Sequence, residues 1–157
     1  MSIAIFPGSF DPITNGHLDI IKTSSKIFDK VIVAVSYNIN KKSFLPLETR
    51  KELIIKSVSD IKNVNVETYT DLTVDFAKKC SAEVIIRGLR NSADFEYEQQ
   101  MAGVNFMLSP KLQTIFLLTK PEFSSISSSV VREIVQNNGN ISNFVPFAVK
   151  EYLDSAL

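Results

Sequence analysis

Tryptophan is absent from this 157-residue chain, and histidine and cysteine occur once each. The single cysteine, Cys80, excludes an intrachain disulfide, and one histidine with one cysteine cannot build the nitrogen and sulfur cages that hold zinc. An excess of either charge is also missing, since 17 Lys and Arg balance 17 Asp and Glu. Net charge therefore points to neither a nucleic-acid polymer nor an anionic membrane as partner, although a small anionic substrate needs only a local cluster of cations. Long apolar runs are lacking as well. They fall far short of the ~20 residues that span a bilayer, and no basic stretch with an apolar core precedes the first β-branched run. The expectation is a cytoplasmic protein in a reducing compartment.

With 45% hydrophobic and 22% charged residues, the composition suits one domain over 1–157, because domains of about 100–150 residues are the commonest size. Short apolar, β-branched runs at 3–6, 31–35, 64–67, 84–86 and 114–118 alternate with helical patterns around 17–28, 47–60, 73–80, 94–108 and 128–136. A closing helix is expected over 146–157, opened by Pro146. This alternation predicts an α/β fold: a Rossmann-like, doubly wound, five-stranded parallel sheet with helices on both faces. Ligands of such sheets bind beyond the carboxyl ends of the strands, where the chain's chemically distinctive stretches fall.

The first of these stretches follows the first apolar run up to His17, a loop broken by Pro7, Gly8, Pro12 and Gly16 that leads into an amphipathic helix. Amides at a helix start, with glycine beside them, attract anions, and an imidazole there can hydrogen-bond a phosphate. The alternative for His17 is a simple cap. Lys41 and Lys42 follow the second run as mobile point charges able to follow a phosphoryl group, or else as ordinary solvated lysines. Ile86-Arg87-Gly88-Leu89-Arg90 sets two guanidinium forks at the end of a buried strand, with a glycine that permits close backbone approach. Asp94 to Glu98 opens a helix, which acidic residues favour whatever their function. Ser124 to Ser129, with one isoleucine among five serines, precede another helix start and suit either capping or an anion site.

Together these stretches carry a resemblance. Thr14-Asn15-Gly16-His17 matches the T/H-x-G-H signature of the nucleotidyltransferases. The Gly8–His17 loop, Ile86–Arg90, Asp94–Glu98 and Ile126-Ser127-Ser128-Ser129 resemble, in order and without large insertion, the bacterial phosphopantetheine adenylyltransferases. The resemblance implies adenylyl transfer from ATP, accompanied by Mg2+, to 4′-phosphopantetheine. It implies transition-state or catalytic roles for His17, Lys41 and Arg90, with Lys42 the alternative to Lys41. It implies acceptor contacts from Ser9, Lys41, Thr73 and Arg87. ATP contacts would come from Ser9, Phe10, His17, Gly88, Leu89, Arg90, Glu98 and the run Phe123, Ser124, Ser125, Ile126, Ser127, Ser128 and Ser129. Ser9 stands where many relatives carry threonine, which keeps the hydroxyl and loses a methyl. No protein metal ligand is expected. The resemblance further implies a homohexamer and feedback inhibition by coenzyme A. Another small-molecule adenylyltransferase or cytidylyltransferase, and a nucleotide-binding regulatory module without catalysis, are the competing readings.

Overall fold

The computed structural model describes residues 1–156. The five apolar runs form β1 (Ile3–Gly8), β2 (Lys30–Ser36), β3 (Val64–Tyr69), β4 (Val84–Leu89) and β5 (Gln113–Leu118), all parallel, in the order β3-β2-β1-β4-β5. Four of them run further toward their carboxyl ends than the apolar pattern predicts. Neighbouring ladders carry residues of poor strand propensity, such as Gly8 opposite Val35 and Gly88 opposite Leu117. Arg87, Gly88 and Leu89 therefore lie within β4 and not in a loop after it.

The central ladder is short. β1 pairs with β2 along its whole length, but with β4 only at Ala4–Val84 and Ile5–Ile85. Pro7 has no N–H to continue the β1–β4 ladder. Beyond Ile5 the two strands part, at the point where strand order reverses.

Six helices cover the sheet: α1 (Asn15–Ile27), α2 (Leu47–Ser57), α3 (Thr73–Lys79), α4 (Ser92–Leu108), α5 (Ser128–Gln136) and α6 (Phe147–Ala156), with a 3-10 turn at Pro121–Phe123. On one face Phe6, Val31, Val33 and Ile86 pack with Ile20 and Ile21 of α1, Leu53 and Ile54 of α2, Val131 of α5 and Val149 of α6. On the other, Ile5, Ile32, Ala34 and Ile85 meet Val74, Phe76 and Ala77 of α3.

Several boundaries differ from the sequence pattern for local reasons. α1 starts at Asn15, two residues before His17, because Thr14 caps it. α2 stops at Ser57, where Val58 takes up the carbonyl of Ile54. α4 starts at Ser92 because the Asn91 side chain accepts from the Asp94 amide. Phe95 and Phe106, two of its apolar positions, are 40% and 51% exposed, and no residue of α4 is buried. The last residue of the expected closing helix, Leu157, lies outside the described residues.

Candidate active site

His17 occupies the third position of α1 and closes a capping box. The Thr14 amide donates to His17 Nδ1 at 3.0 Å, and the His17 amide donates to Thr14 Oγ1 at 3.3 Å. The capping and ligand-binding alternatives thus become compatible, since the cap uses one ring nitrogen and leaves the other. Because Nδ1 receives an N–H, its lone pair is committed and the ring proton resides on Nε2. Desolvation, followed by the positive charges of Arg87 and Arg90, pushes the imidazole down from 6.5 to about 4. At neutral pH His17 is an uncharged donor.

The ring is held from behind. Phe10 meets it edge-on at 5.0 Å between centroids and meets Phe6 in the same way at 5.4 Å. Phe10 is 1% exposed and has φ 47°, so its side chain points into the core and its strained backbone turns toward the cleft. A Cβ on Gly8 would stand 3.1 Å from the Phe10 ring, so any larger residue there would press on the aromatic pair behind His17.

The opening between β1 and β4 leads into a cavity of about 290 Å³ lined by Ser9, His17, Arg87, Gly88, Arg90, Glu98, Ile126, Ser127 and Ser128. Arg87 forms a two-pronged pair with Glu98, with Nε and Nη2 each 2.7 Å from a carboxylate oxygen, and donates through Nη1 to the Pro7 carbonyl at 2.6 Å. Arg90 pairs with Asp94 and donates to the Ile126 carbonyl at 3.3 Å, which ties β4 to the serine turn. Within that turn Ser127 Oγ caps α5 by accepting from the Val130 amide, and Ser128 Oγ donates to the Pro12 carbonyl. Ser129 Oγ accepts from Arg132. The Ser128 and Ser129 amides lie ahead of the first intrahelical hydrogen bond of α5, and Ser128 lines the cavity.

Two more cavities adjoin this one. The larger, about 730 Å³, shares Ser9 and is lined by Lys41, Lys42, Arg50 and Arg132. The smaller, about 240 Å³, shares Arg87 and Glu98 and runs past Thr73, Tyr69, Tyr97 and Met101. Ser9 thus stands where two cavities meet, and Thr73 borders the third. Leu89, 6% exposed, lies in the core, and Phe123, Ser124, Ser125 and Ser129 do not line the 290 Å³ cavity.

The structure adds three residues that the sequence reading passed over. Asp11 is buried and accepts from the amides of Phe44 and Leu45, both at 2.7 Å. Arg50 is buried beneath Ser9, and Arg132 reaches the Asp11 carbonyl at 2.8 Å. The available signal for Arg50 was its spacing: with Leu53 and Ile54 it occupies the i, i+3, i+4 apolar face of α2. Among the described residues no group of three or more His, Cys, Asp or Glu stands together as a metal site, and no helix is long and apolar enough to cross a membrane.

Comparison with known proteins agrees with this architecture. A cytidylyltransferase-like family model matches residues 5–134. A crystal structure of a Vibrio parahaemolyticus protein provisionally assigned as a nicotinate-nucleotide adenylyltransferase superposes with a TM-score of 0.74, covering 99% of this chain and 93% of that one. At 21% identity that likeness speaks for the fold alone. A Leuconostoc citreum phosphopantetheine adenylyltransferase is 52% identical, with 100% of this chain and 99% of the relative aligned. The enzyme of the same name from Caldanaerobacter subterraneus is 50% identical over 98% and 96% of the two chains, and that from Vesicomyosocius okutanii 47% over 99% and 98%. On this full-length identity, and on a cleft that gathers His17, Arg87, Arg90, Glu98 and the serine turn, the chain belongs to the phosphopantetheine adenylyltransferase family.

Proposed function

We propose that this chain transfers the adenylyl group of ATP to 4′-phosphopantetheine, giving dephospho-coenzyme A and pyrophosphate, as the penultimate step of coenzyme A biosynthesis. The observation that carries the reading is the early parting of β1 from β4, into which His17, Arg87 and Arg90 converge from stretches far apart in the sequence. An oxygen of the acceptor phosphate attacks the α-phosphorus, and the bond to the bridging oxygen of pyrophosphate breaks. The nucleophile is already anionic at neutral pH, so no base is required. The protein's work is to bring two mutually repelling anions into line and to stabilise charge on the transferring group.

His17 donates through Nε2–H to the α-phosphoryl oxygens, its neutrality enforced by the Thr14 amide. Lys41 and Ser9 orient the acceptor phosphate, and Arg87 neutralises it. The pantetheine arm follows the 240 Å³ groove past Thr73. Arg90, the Gly88 backbone and the amides at the start of α5 take the ATP phosphates and ribose, with Phe10 presenting its backbone. Asp94 and Glu98 are committed to Arg90 and Arg87, a donor set unsuited to a protein-held cation, so Mg2+ arrives with ATP and screens its phosphates.

A homohexamer is consistent with the apolar surface that α4 and the edge strand β5 leave open, where Tyr97, Met107 and Leu118 are 60%, 83% and 80% exposed. Coenzyme A, which contains the product's whole skeleton, fits the same cleft as a feedback inhibitor. The balanced charge and single cysteine suit the cytoplasm.

The test is pyrophosphate release from MgATP with 4′-phosphopantetheine, beside unphosphorylated pantetheine and nicotinamide mononucleotide. Release with 4′-phosphopantetheine alone, together with dephospho-coenzyme A, supports the reading. Activity with nicotinamide mononucleotide instead would retain the chemistry and discard the acceptor.

A further inference from the structure

Arg50 presents a buried charge that the mechanism above does not use. It is 2% exposed, and among the described residues no carboxylate lies within ion-pair distance of its guanidinium. Its partners are neutral: the carbonyls of Leu45 at 3.2 Å, Ser9 at 2.6 Å and Ser36 at 3.2 Å, and Ser43 Oγ at 3.4 Å. A cation buried among neutral acceptors is an expensive arrangement unless something else compensates it. These partners are also not arbitrary. Ser36 ends β2, Ser9 begins the loop after β1, and Ser43 and Leu45 belong to the loop that carries Lys41. Asp11 completes the join from the other side by accepting the Phe44 and Leu45 amides.

Arg50 also lines the 730 Å³ cavity together with Ser9 and Lys41. The guanidinium therefore does two things at one place. It fixes the Ser9 backbone against the Lys41 loop, and it places a positive charge in the wall of the cavity those two residues border. A planar fork with five donors suits this task, since it spans three chain segments at once without moving.

We propose that Arg50 is a positioning residue for adenylyl transfer: it holds Ser9 and the Lys41 loop in register, and its positive charge in the cavity wall favours the acceptor phosphate there. The inference rests on the reading that Ser9 and Lys41 meet the acceptor phosphate. It requires Arg50 to act on the acceptor selectively, whereas a merely structural arginine would affect both substrates alike.

The experiment compares wild type with Arg50→Lys, Arg50→Met and Lys41→Ala, using steady-state pyrophosphate release and thermal unfolding. Displacing reacting groups by about 1 Å costs about a hundredfold, so Arg50→Met is expected to lower kcat/KM for 4′-phosphopantetheine by that order while KM for ATP changes less than about threefold. Arg50→Lys keeps the charge and loses the fork; it should recover part of the acceptor affinity but little of kcat. In addition, 4′-phosphopantetheine alone should raise the melting temperature of wild type more than that of either variant.

Equal losses toward both substrates that track a fall in melting temperature would overturn the proposal. So would an acceptor kcat/KM within about threefold of wild type. If the methionine variant does not fold, the lysine variant decides by the same two criteria. Lys41→Ala separates the two levels of inference. An unchanged acceptor KM there removes the phosphate assignment and the proposal with it, whereas a raised KM beside an indifferent Arg50→Lys removes the role of Arg50 alone.

Discussion

Replacing His17 with asparagine tests the protonation state on which the mechanism depends. Asparagine can offer Oδ1 to the Thr14 amide where the imidazole offered Nδ1, so the capping box survives while the Nε2 donor and the titrating group are lost. In the folded chain His17 resists protonation down to about 4, against 6.5 for the ordinary group. A base whose pKa is depressed by folding binds fewer protons in the native state than in the unfolded one. It therefore contributes stability that is complete above pH 6.5 and is lost as pH falls toward 4. At about 1.4 kcal/mol per pH unit the total is at most about 3 kcal/mol, with about 2 kcal/mol of it gone by pH 5; partial exposure of the ring lowers both figures. Carboxylates titrate in the same window, so the informative quantity is the difference between wild type and His17→Asn, measured by urea unfolding from pH 7.5 to 4.5. Wild type should lose its relative stability through that range. Turnover should fall by about 10²–10³ in the variant, the usual cost of one donor to a developing charge. The wild-type profile of kcat/KM should show no limb near 6.5 that vanishes in the variant. A stability difference flat with pH, or such a limb, would refute a neutral His17.

Three further outcomes follow from other contacts. Glu98→Gln should cost about 2 kcal/mol in urea unfolding, because it removes charge from a paired carboxylate that is 12% exposed. The same change should tighten 4′-phosphopantetheine in a calorimetric titration, since Arg87 is no longer neutralised. Asp11→Asn turns an amide group toward one of the two backbone N–H groups that Asp11 accepts; a loss of about 1–3 kcal/mol and a raised acceptor KM are expected, read from unfolding and initial rates. Gly139→Ala should destabilise by about 1–3 kcal/mol in thermal unfolding without altering either KM. The added Cβ would lie 2.6 Å from Ile134 Cγ2, where the Gly139 amide closes the end of α5 on the Ile134 carbonyl.

Local rules in the sequence account for the strands and for the order of the helices. Val31 to Val35 is a continuous apolar run because both faces of β2 are covered, and the serine-rich turn starts α5 at Ser128 by an ordinary side-chain cap. Long-range compensation is harder to read. Strand ends depended on partners across the sheet, as at Gly88 opposite Leu117. The aromatic residues of α4 remain exposed, and its apolar positions do not say so, because periodicity records a preference for burial and not what satisfies it. Among site residues, His17, Arg87 and Arg90 stood in short recognisable stretches, and the fold brings them together. Asp11 and Arg50 act across 33 to 41 residues of sequence on backbone groups of other loops, contacts that no local motif encodes.

The proline in β1 divides one strand into two regimes. Ala4 and Ile5 lie where β1 is paired on both sides and share their fate with the global fold, so substitutions there should register in unfolding free energy. From Pro7 onward the same strand leans on β2 alone, and across the gap its carbonyl is held by the Arg87 side chain rather than by backbone. The gap between β1 and β4 is therefore bridged at this level by a side chain, while the anchorage of the strand is fixed a few residues earlier. Amide exchange along this strand would change character at Pro7, from slow opening coupled to global unfolding to faster, ligand-sensitive opening at Gly8 and Ser9.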